Sequence, residues 1–404
     1  MYIKRHIESV IEDCIRQFPV TLVTGPRQVG KTTLLKYICE DFDYVTFDDP
    51  IILMEAIEET NLFLKNNEPP LLIDEVQYAP QIFRYLKMYV DKNQVKGSFA
   101  LTGSQAFELM KGVSETLAGR MAIVELRGLS LREIHNVDFQ QPFIPSDEYM
   151  NQRKKYLTDY TKLWETIHRG SMPELQDQDM NWERYYSSYI KTYIEKDVRQ
   201  IINISDEFKF TKFLIALAVR CGELLNIHAI ANEVEASADT IKRWISILQT
   251  SGIIYLLKPY SNNILKRVIK TPKVYFYDSG LVCYLARWTS SDTARIGAQA
   301  GHIYENFIVS EIFKSHINAG KTISSLYFYR DRDQREIDLI IEEDGKLYPI
   351  EIKMTANPTK AMGKHFKALD NIPNKKRQPG IILCQYERKT YLAKDIIALP
   401  IEYI

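Results

Sequence analysis

A chain of 404 residues is long enough for two to four domains. Apolar residues make up 45% of it and charged residues 26%, a balance typical of soluble globular proteins. The net charge is zero, so composition alone excludes a strongly basic nucleic-acid binder, and any polyanionic partner would have to bind a local basic patch.

The cysteines are scattered and form no C-x-x-C pair, which argues against a zinc ribbon or a disulfide framework and suits a reducing compartment. They are Cys14, Cys39, Cys221, Cys283 and Cys384. No apolar run reaches the roughly 18 residues of a membrane span, and residues 1–10 contain no secretory apolar segment. We therefore expect a cytoplasmic protein with no membrane contact.

The first elements predicted are an amphipathic helix over 3–17 and a buried strand over 20–23, which leads into the pattern G-x-x-x-x-G-K-[ST]. A helix over 33–38 follows, so the order is the one that a phosphate-binding loop needs. The residues expected to bind nucleotide here are Gly25, Pro26, Arg27, Gln28, Val29, Gly30, Lys31, Thr32 and Thr33. We expect Lys31 to reach the β- and γ-phosphates of ATP and Thr32 to ligate Mg²⁺.

A second acidic motif follows a strand predicted over 43–47. Pro69-Pro70 breaks the chain, and a short apolar strand then ends in Asp74 and Glu75. A buried parallel strand delivers such acids to the edge of the sheet where ligands bind. We expect Asp74 to hold Mg²⁺, mostly through water, and Glu75 to polarise the attacking water.

Polar residues near two later strands complete the predicted site. A strand over 98–102 brings Thr102 and Ser104 to its tip, and either side chain is a candidate to sense the γ-phosphate. Arg120 precedes a strand over 121–126 and is a candidate to stabilise transition-state charge, within its own chain or across to a neighbouring subunit. A surface role for Arg120 is equally consistent, and Arg27 is a weaker candidate for the catalytic role.

Together these motifs resemble those of bacterial and archaeal AAA-like ATPases that carry a C-terminal domain of restriction-endonuclease-like fold. The resemblance covers essentially the whole chain, and the segments that carry it are 25–32, 74–77, 101–104, 117–120, 168–173, 273–281 and 304–307. It implies an α/β protein, and it makes a homo-oligomer, such as a ring, the expected assembly.

We divide the chain into four parts. The predicted domains are an AAA-like P-loop ATPase domain over 1–135, a helical region over 136–204, a winged-helix-like domain over 205–290 and a restriction-endonuclease-like α/β domain over 291–404. In the helical region four tyrosines have helical spacing, which we interpret as core or inter-domain packing. They are Tyr185, Tyr186, Tyr189 and Tyr193.

The winged-helix prediction rests on the order of elements. Three helices are predicted, over 210–220, 228–233 and 238–250, and Asn226 and Ser237 cap the second and third. A strand over 253–257 follows, and after a turn at 262–263 the chain runs back along it through 266–269. In a DNA reader the third helix enters the major groove, so Lys242 and Arg243, with Lys266 and Arg267 on the wing, are expected to contact DNA. A winged helix that serves only as a rigid spacer is an equal alternative.

The C-terminal part contains a hairpin with acidic residues. Asp344-Gly345 predicts a two-residue turn between strands over 335–341 and 346–353. In that register Asp338 lies opposite Glu351, and Lys353 shares their face. This pattern is typical of D-x(n)-E-x-K nucleases, in which the acids bind Mg²⁺ and the lysine orients or activates water.

The family resemblance adds Glu305, on a helix predicted over 301–315, as a third metal ligand of this nuclease-like site. Such folds are often retained as binding modules, so cutting and non-cutting forms are equally expected.

Two functions remain open. The first is an ATPase that uses ATP and Mg²⁺ in an oligomer to remodel or process DNA, for instance branched DNA. The second is an ATP-dependent regulatory switch whose C-terminal domain binds DNA or a protein partner without cutting.

Overall fold

The computed structural model describes residues 2–104, 117–194, 207–261 and 271–404. Its strands are β1 (Val20–Thr24), β2 (Asp43–Thr46), β3 (Leu71–Asp74), β4 (Phe99–Gly103), β5 (Met121–Glu125), β6 (Ile254–Leu257), β7 (Lys273–Phe276), β8 (Leu326–Arg330), β9 (Glu336–Glu343), β10 (Lys346–Ile352), β11 (Lys376–Arg377), β12 (Gly380–Cys384), β13 (Thr390–Ala393) and β14 (Ile396–Pro400).

The α-helices of the described residues are numbered in the same way. They are α1 (Glu8–Gln17), α2 (Lys31–Ile38), α3 (Pro50–Glu58), α4 (Thr60–Asn66), α5 (Ile82–Asn93), α6 (Leu131–Ile134), α7 (Asp147–Arg153), α8 (Leu163–Arg169), α9 (Trp182–Tyr189), α10 (Glu207–Val219), α11 (Ile227–Val234), α12 (Ala238–Thr250), α13 (Ser279–Leu285), α14 (Ser291–Ile296) and α15 (Ala300–Asn318). Within the described part of the chain, none of these helices has the length and apolar character needed to cross a membrane.

The N-terminal sheet is parallel, with the strand order β2-β3-β4-β1-β5. All five strands that the sequence predicts for this region are present. Strands β1, β3 and β4 are buried along their whole length, which is the pattern of central strands covered on both faces. Because the carboxyl ends of parallel strands meet at one edge, the loop after β1 and the acids at the end of β3 come together there.

The helix predicted over 3–17 begins only at Glu8. The residues before it bind the buried carboxylate of Glu133 instead of continuing the helix. The Arg5 guanidinium lies 3.1 Å from Glu133 Oε1, and the backbone N–H of His6 donates to the same oxygen at 2.8 Å. These contacts with a residue distant in sequence explain why local periodicity overestimated the helix.

We call residues 136–290 the middle region. Its first part, predicted as helical over 136–204, is helical but broken into short helices. Helices α7, α8 and α9 are separated by turns, and a π-helix over Ile190–Ile194 extends α9; residues 195–199 lie outside the described ranges. Tyr185, Tyr186 and Tyr189 are buried, so their predicted packing role is confirmed. A π-helix often marks a functional position in a helix.

Helices α10, α11 and α12 follow the predicted order, with β6 after them. Asn226 Oδ1 accepts the backbone N–H of Ala229 at 3.0 Å, and Ser237 Oγ accepts that of Thr240 at 3.1 Å, so both predicted caps are confirmed. In the described residues β6 pairs antiparallel with β7. The predicted turn at 262–263 and the wing residues at 266–269 lie outside the described ranges, so the winged helix stays a proposal.

The C-terminal sheet has the order β13-β14-β12-β10-β9-β8, with β11 beside β10. Strands β8, β9 and β10 run antiparallel, and β12 is parallel to β10. Asp344 and Gly345 have φ values of 48° and 75°, as a tight hairpin turn requires. Ile350 pairs with Leu339, which confirms the predicted register of the hairpin.

A single apolar core extends through all parts of the described chain. It contains Val23 of β1, Leu217 of α10, Ile303 of α15 and Ile350 of β10. Two smaller cores cover the other faces of the two sheets. The middle helices therefore share one core with a face of each sheet.

We predict a pH-dependent contribution of His316 to stability. Burial lowers the pKa of His316 to about 4, and its Nε2 lies 2.9 Å from the carbonyl oxygen of Phe143. The unfolded chain binds a proton near the ordinary pKa of about 6.5 and the folded chain does not, so the free energy of unfolding should fall as pH drops through this window. The slope from this group is at most about 1.4 kcal/mol per pH unit.

Urea unfolding of His316→Gln at about pH 5 and about pH 7 measures this contribution. The variant should lose part of the difference between the two conditions, whereas His228→Gln, at an exposed position, should keep the wild-type difference. Equal pH dependence in both variants would contradict the assignment.

Candidate functional sites

The loop between β1 and α2 requires glycine at two positions. Gly25 has φ 149°, and a Cβ there would lie 2.1 Å from the carbonyl oxygen of Leu126. Gly30 has φ 90° and precedes the first residue of α2. Inside the loop, Lys31 Nζ donates to the carbonyl oxygens of Gly25 and Pro26 at 3.1 and 2.8 Å. The loop thus positions the ammonium group at the N-terminus of α2.

Asp74 lies beside the start of α2, where the sequence predicts a magnesium site. Thr32 Oγ1 donates to Asp74 Oδ1 at 2.8 Å, and Tyr44 OH donates to Oδ2 at 3.2 Å. Thr102 also donates to Asp74 Oδ1. A hydroxyl and a carboxylate in contact are the oxygen donors that Mg²⁺ prefers, so Thr32 and Asp74 fit the predicted ion.

Glu75 is held in a left-handed conformation, with φ 56°. Its backbone N–H donates to Thr102 Oγ1 at 3.2 Å, and its carboxylate accepts hydrogen bonds from Ser104, at 3.4 Å, and from Gln77. The sequence left Thr102 and Ser104 as equal sensor candidates. The structure places Thr102 behind Asp74 and Ser104 behind Glu75. Strain of this kind at a non-glycine residue is typical of functional sites.

Lys31, Thr32 and Glu75 line a cavity of about 520 Å³, whereas Asp74, Thr102 and Ser104 lie outside its lining. Its lining residues are Arg27, Gln28, Gly30, Lys31, Thr32, Thr33, Glu75, Tyr189 and Thr192. Gly25, Pro26 and Val29 form the loop behind this lining. Tyr189 and Thr192 come from the middle region and were not predicted as site residues, because nothing in their local pattern distinguishes them from packing residues.

Arg5 supports the phosphate-binding loop from the N-terminal segment. Its Nη1 donates to the carbonyl oxygen of Val29 at 2.9 Å, and its Nη2 donates to that of Arg127 at 2.7 Å. The side chain is almost fully buried and also pairs with Glu133. Sequence reasoning missed this residue because its partners are distant in the chain.

Arg127 connects the loop to the middle region. Its guanidinium pairs with Glu125 at 2.5 Å and lies 4.3 Å from the ring centroid of Tyr277. A Cβ on Gly252 would lie 1.9 Å from Arg127 Nη1 and 3.2 Å from Pro26 Cδ. Only glycine allows this close contact among the loop, Arg127 and the end of α12.

Arg120 does not reach the nucleotide pocket of its own chain. Its carbonyl oxygen accepts the N–H of Val20 at the start of β1, whereas the phosphate-binding loop follows the other end of that strand, about 17 Å away. Its guanidinium pairs with Asp91 at 2.5 Å and is partly exposed. The prediction of a role within its own chain is therefore wrong, and Arg27 is the arginine that lines the pocket.

Two of the predicted DNA-contact residues lie in the described part of the chain. Lys242 and Arg243 are exposed on α12, and Lys242 Nζ lies 3.1 Å from Asp239. Lys266 and Arg267 lie outside the described ranges. The DNA contact stays a prediction.

The nuclease-like residues of the hairpin meet as predicted. Lys353 Nζ lies 2.7 Å from Glu351 Oε2 and 3.1 Å from Asp338 Oδ2. The backbone N–H of Ile352 also donates to Asp338 Oδ2 at 2.8 Å. Both carboxylates are buried, so the lysine neutralises charge that water does not reach.

A second lysine, which was not predicted as a site residue, holds the third acid. Lys273 Nζ, from β7, lies 2.7 Å from Glu336 Oε1 and 3.3 Å from Glu305 Oε1. Tyr275 OH donates to the same oxygen of Glu305 at 2.6 Å. We call these four carboxylates and two lysines the acid–lysine cluster. Its members are Glu305, Glu336, Asp338, Glu351, Lys273 and Lys353.

The pKa values of the cluster reflect burial and mutual charge. Burial, and then the charge of Asp338, raises the pKa of Glu351 to about 9. Burial also raises the pKa of Glu305. Burial alone would lower the pKa of Lys273, but the facing carboxylates, Glu305 first, raise it above its ordinary range. The two lysines are therefore charged at neutral pH.

The cluster does not fit a divalent cation as it is arranged. The described residues contain no group of three or more His, Cys, Asp or Glu side chains in a metal-binding arrangement. Oxygens of Glu305, Asp338 and Glu351 contact ammonium groups instead. The assignment of these three residues to Mg²⁺, with Lys353 as the catalytic lysine, stays a prediction.

Comparison with known proteins supports the interpretation of the N-terminal part as a nucleotide-binding domain. Residues 17–135 match the family model of the AAA domain. This part of the chain is an AAA-like P-loop domain. Its parallel sheet, its glycine loop and its paired acids agree with that assignment. Residues 160–292 and 300–404 match two domains of unknown function, DUF8612 and DUF4143, and neither description names a winged helix or an endonuclease.

Two relatives align with most of the chain. Uncharacterized protein Rv2008c of Mycobacterium tuberculosis is 27% identical over 359 residues, which are 88% of this chain and 75% of the relative. Uncharacterized protein MJ1544 of Methanocaldococcus jannaschii is 24% identical over 352 residues, covering 81% of this chain and 73% of the relative.

Among solved structures, the Walker-type ATPase PABY2304 of Pyrococcus abyssi covers 70% of this chain and 96% of its own, with 14% identity and a TM-score of 0.41.

We predict that Lys31→Ala in the AAA-like domain lowers ATP turnover by about 10²- to 10³-fold, because a preorganised charge is lost from the phosphate site. Phosphate release from purified protein measures this effect. Lys65→Ala, at an exposed position on α4, is the matched control and should retain wild-type turnover. Unchanged turnover in Lys31→Ala would show that the loop is not the site of hydrolysis.

Proposed function

We propose that this protein is a Mg²⁺-dependent ATP hydrolase. The observation that carries the proposal is that Lys31, Thr32 and Glu75 line one cavity and that Asp74 contacts one of them. Lys31 lies in the loop, Thr32 contacts Asp74 at 2.8 Å, and Glu75 lines the same cavity. A chance match to the loop pattern would not place an acid pair of this kind beside it.

Each residue has a role that its position supports. Lys31 would turn from the loop carbonyls to the β- and γ-phosphates, and Thr32 with Asp74 would hold Mg²⁺. The ion would neutralise the charge that develops on the phosphates. Glu75 would orient the attacking water, with Ser104 fixing its carboxylate. Arg27 also lines the cavity and would be a second cationic side chain, besides Lys31, close to the γ-phosphate.

The favoured function couples this hydrolysis to DNA in a homo-oligomer. Lys242 and Arg243 are exposed on the third helix of a helix–helix–helix–strand unit, which supports contact with a phosphate backbone. Arg120 is partly exposed at the opposite edge of the sheet, so it would act only on the pocket of a neighbouring subunit, as in a ring. The free cysteines support a cytoplasmic setting.

A second candidate is a nucleotide switch that binds DNA or a protein partner without cutting. Tyr189 and Thr192 of the middle region line the nucleotide cavity, which supports coupling between ATP and the position of that region. Lys273, which is not part of the nuclease-like pattern and pairs with Glu305, supports a C-terminal domain that does not cleave DNA.

One assay separates the two functions. ATP hydrolysis is measured alone and with labelled single-stranded, duplex and four-way-junction DNA. The favoured function predicts that one DNA structure stimulates hydrolysis severalfold, because the DNA-bound state organises the pocket. Glu75→Gln should bind ATP yet show no turnover with any DNA. If no DNA changes the rate of ATP hydrolysis and none binds, the result supports the nucleotide switch, and its partner would be a protein.

The same labelled DNA tests cleavage. We predict that the protein with Mg²⁺ leaves every DNA intact, because the acids of the C-terminal domain are bound to lysines. Gel analysis after extended incubation, beside a Glu351→Gln sample, measures this. If the wild type cleaves DNA and Glu351→Gln does not, the prediction is wrong and the cluster is a nuclease active site.

A further inference from the structure

The acid–lysine cluster joins parts of the molecule that are distant in sequence. Lys273 belongs to β7, Glu305 to α15 and Glu336 to β9. The Lys273 side chain is 5% exposed and contacts both acids. Its Nζ also lies 5.7 Å from the ring centroid of Phe328 on β8. We call the antiparallel pair of β6 and β7, with the residues that directly follow β6, the β6–β7 ribbon. One ammonium group therefore connects this ribbon to the helix and the sheet of the C-terminal part.

Backbone hydrogen bonds follow the same boundary. Beyond β6, the N–H of Tyr260 donates to the carbonyl oxygen of Phe328 at 2.6 Å, and the N–H of Phe328 donates to that of Lys258 at 3.1 Å. On α15, Asn306 Oδ1 accepts the N–H of Phe276 at 2.7 Å. The ribbon is thus attached to the edge strand of the sheet and to α15, and Lys273 lies between these two attachments.

The charges at this boundary are internally matched. Lys353 lies on the same hairpin as the acids it bridges, as the nuclease-like pattern predicts. Lys273 is different, because it enters from another part of the chain and pairs with Glu305, the acid that the pattern would assign to a metal. Arg330 adds a further contact to Glu336 at 3.3 Å. Buried carboxylates persist only when they are paired, and here protein cations pair them.

We propose that Lys273 is the resident cation of the acid–lysine cluster: it fastens the β6–β7 ribbon to the C-terminal sheet and takes the place that a divalent metal ion would hold in a nuclease. The acids of the cluster then serve as a structural joint between the middle region and the C-terminal domain. This role needs no nucleotide, so it stands or falls independently of the ATPase proposal.

The first test is the melting temperature, Tm, of nucleotide-free Lys273→Met. The substitution keeps the length of the side chain and removes its charge, which takes away the ammonium partner of Glu305 and leaves Glu336 with Arg330. We expect Tm to fall by about 5 °C or more. Lys258→Met is the matched control on the same ribbon, because its side chain is exposed, and it should melt as the wild type does. Equal melting of the two variants would overturn the proposal.

A charge-compensated variant covers the case in which Lys273→Met folds poorly. In Lys273→Met with Glu305→Gln, the unpaired charge is removed together with its partner. We expect the double variant to recover about half of the lost Tm, since the two effects should not be additive. A double variant less stable than the sum of the two single effects would contradict an ion-paired joint.

The final arm uses MnCl₂ as the probe on protein carrying Asp74→Asn, which removes the metal ligand of the nucleotide site. Addition of MnCl₂ should not raise Tm, because Lys273 already neutralises the acids. A rise in Tm that Glu351→Gln abolishes would show that the cluster binds a divalent ion, and the proposal would be rejected.

Discussion

The burial of apolar surface between two sheets is the constraint on which the rest of this structure depends. The middle helices contribute Leu217 and their neighbours to a core that also contains Val23 of the first sheet and Ile350 of the second. Polar groups that enter this boundary lose contact with water and must find partners in the protein. The buried side chains of Arg5, Arg127 and Lys273 each bind protein groups at this boundary.

This constraint explains why the nucleotide cavity includes residues from outside the AAA-like domain. The middle helices are held close to the loop by the shared core, so Tyr189 lies in the wall of the cavity. It also explains why the acid–lysine cluster lies at a boundary, since β7 is hydrogen-bonded to α15 and the segment after β6 is hydrogen-bonded to the edge strand β8. Which residues form the two candidate sites therefore depends on how the parts of the molecule pack together.

Features with local causes were predictable from the sequence. The loop at Gly25–Thr32, the caps at Asn226 and Ser237 and the hairpin register at Asp344 follow from residues within a few positions of one another. Features that depend on long-range packing were not predictable. No local pattern shows that Arg5 binds Val29, that β7 pairs with β6, or that Lys273 inserts among acids more than thirty residues away.

The choice among the roles left open for Arg120 could not be made from the sequence for a related reason. A strand pattern shows that an arginine precedes β5, but only the parallel sheet shows that this end of β5 is remote from the phosphate-binding loop.

The contact at Gly252 has a thermodynamic consequence. Pro26 of the nucleotide loop and the Arg127 guanidinium both lie close to Gly252, just after α12, so a shift of either group changes the contact at Gly252. If nucleotide binding changes the free energy of this contact, reciprocity requires that a ligand which repositions α12 change the affinity for nucleotide by the same factor. Gly252, which has no side chain, is thus the residue through which nucleotide binding and binding of that second ligand would be coupled.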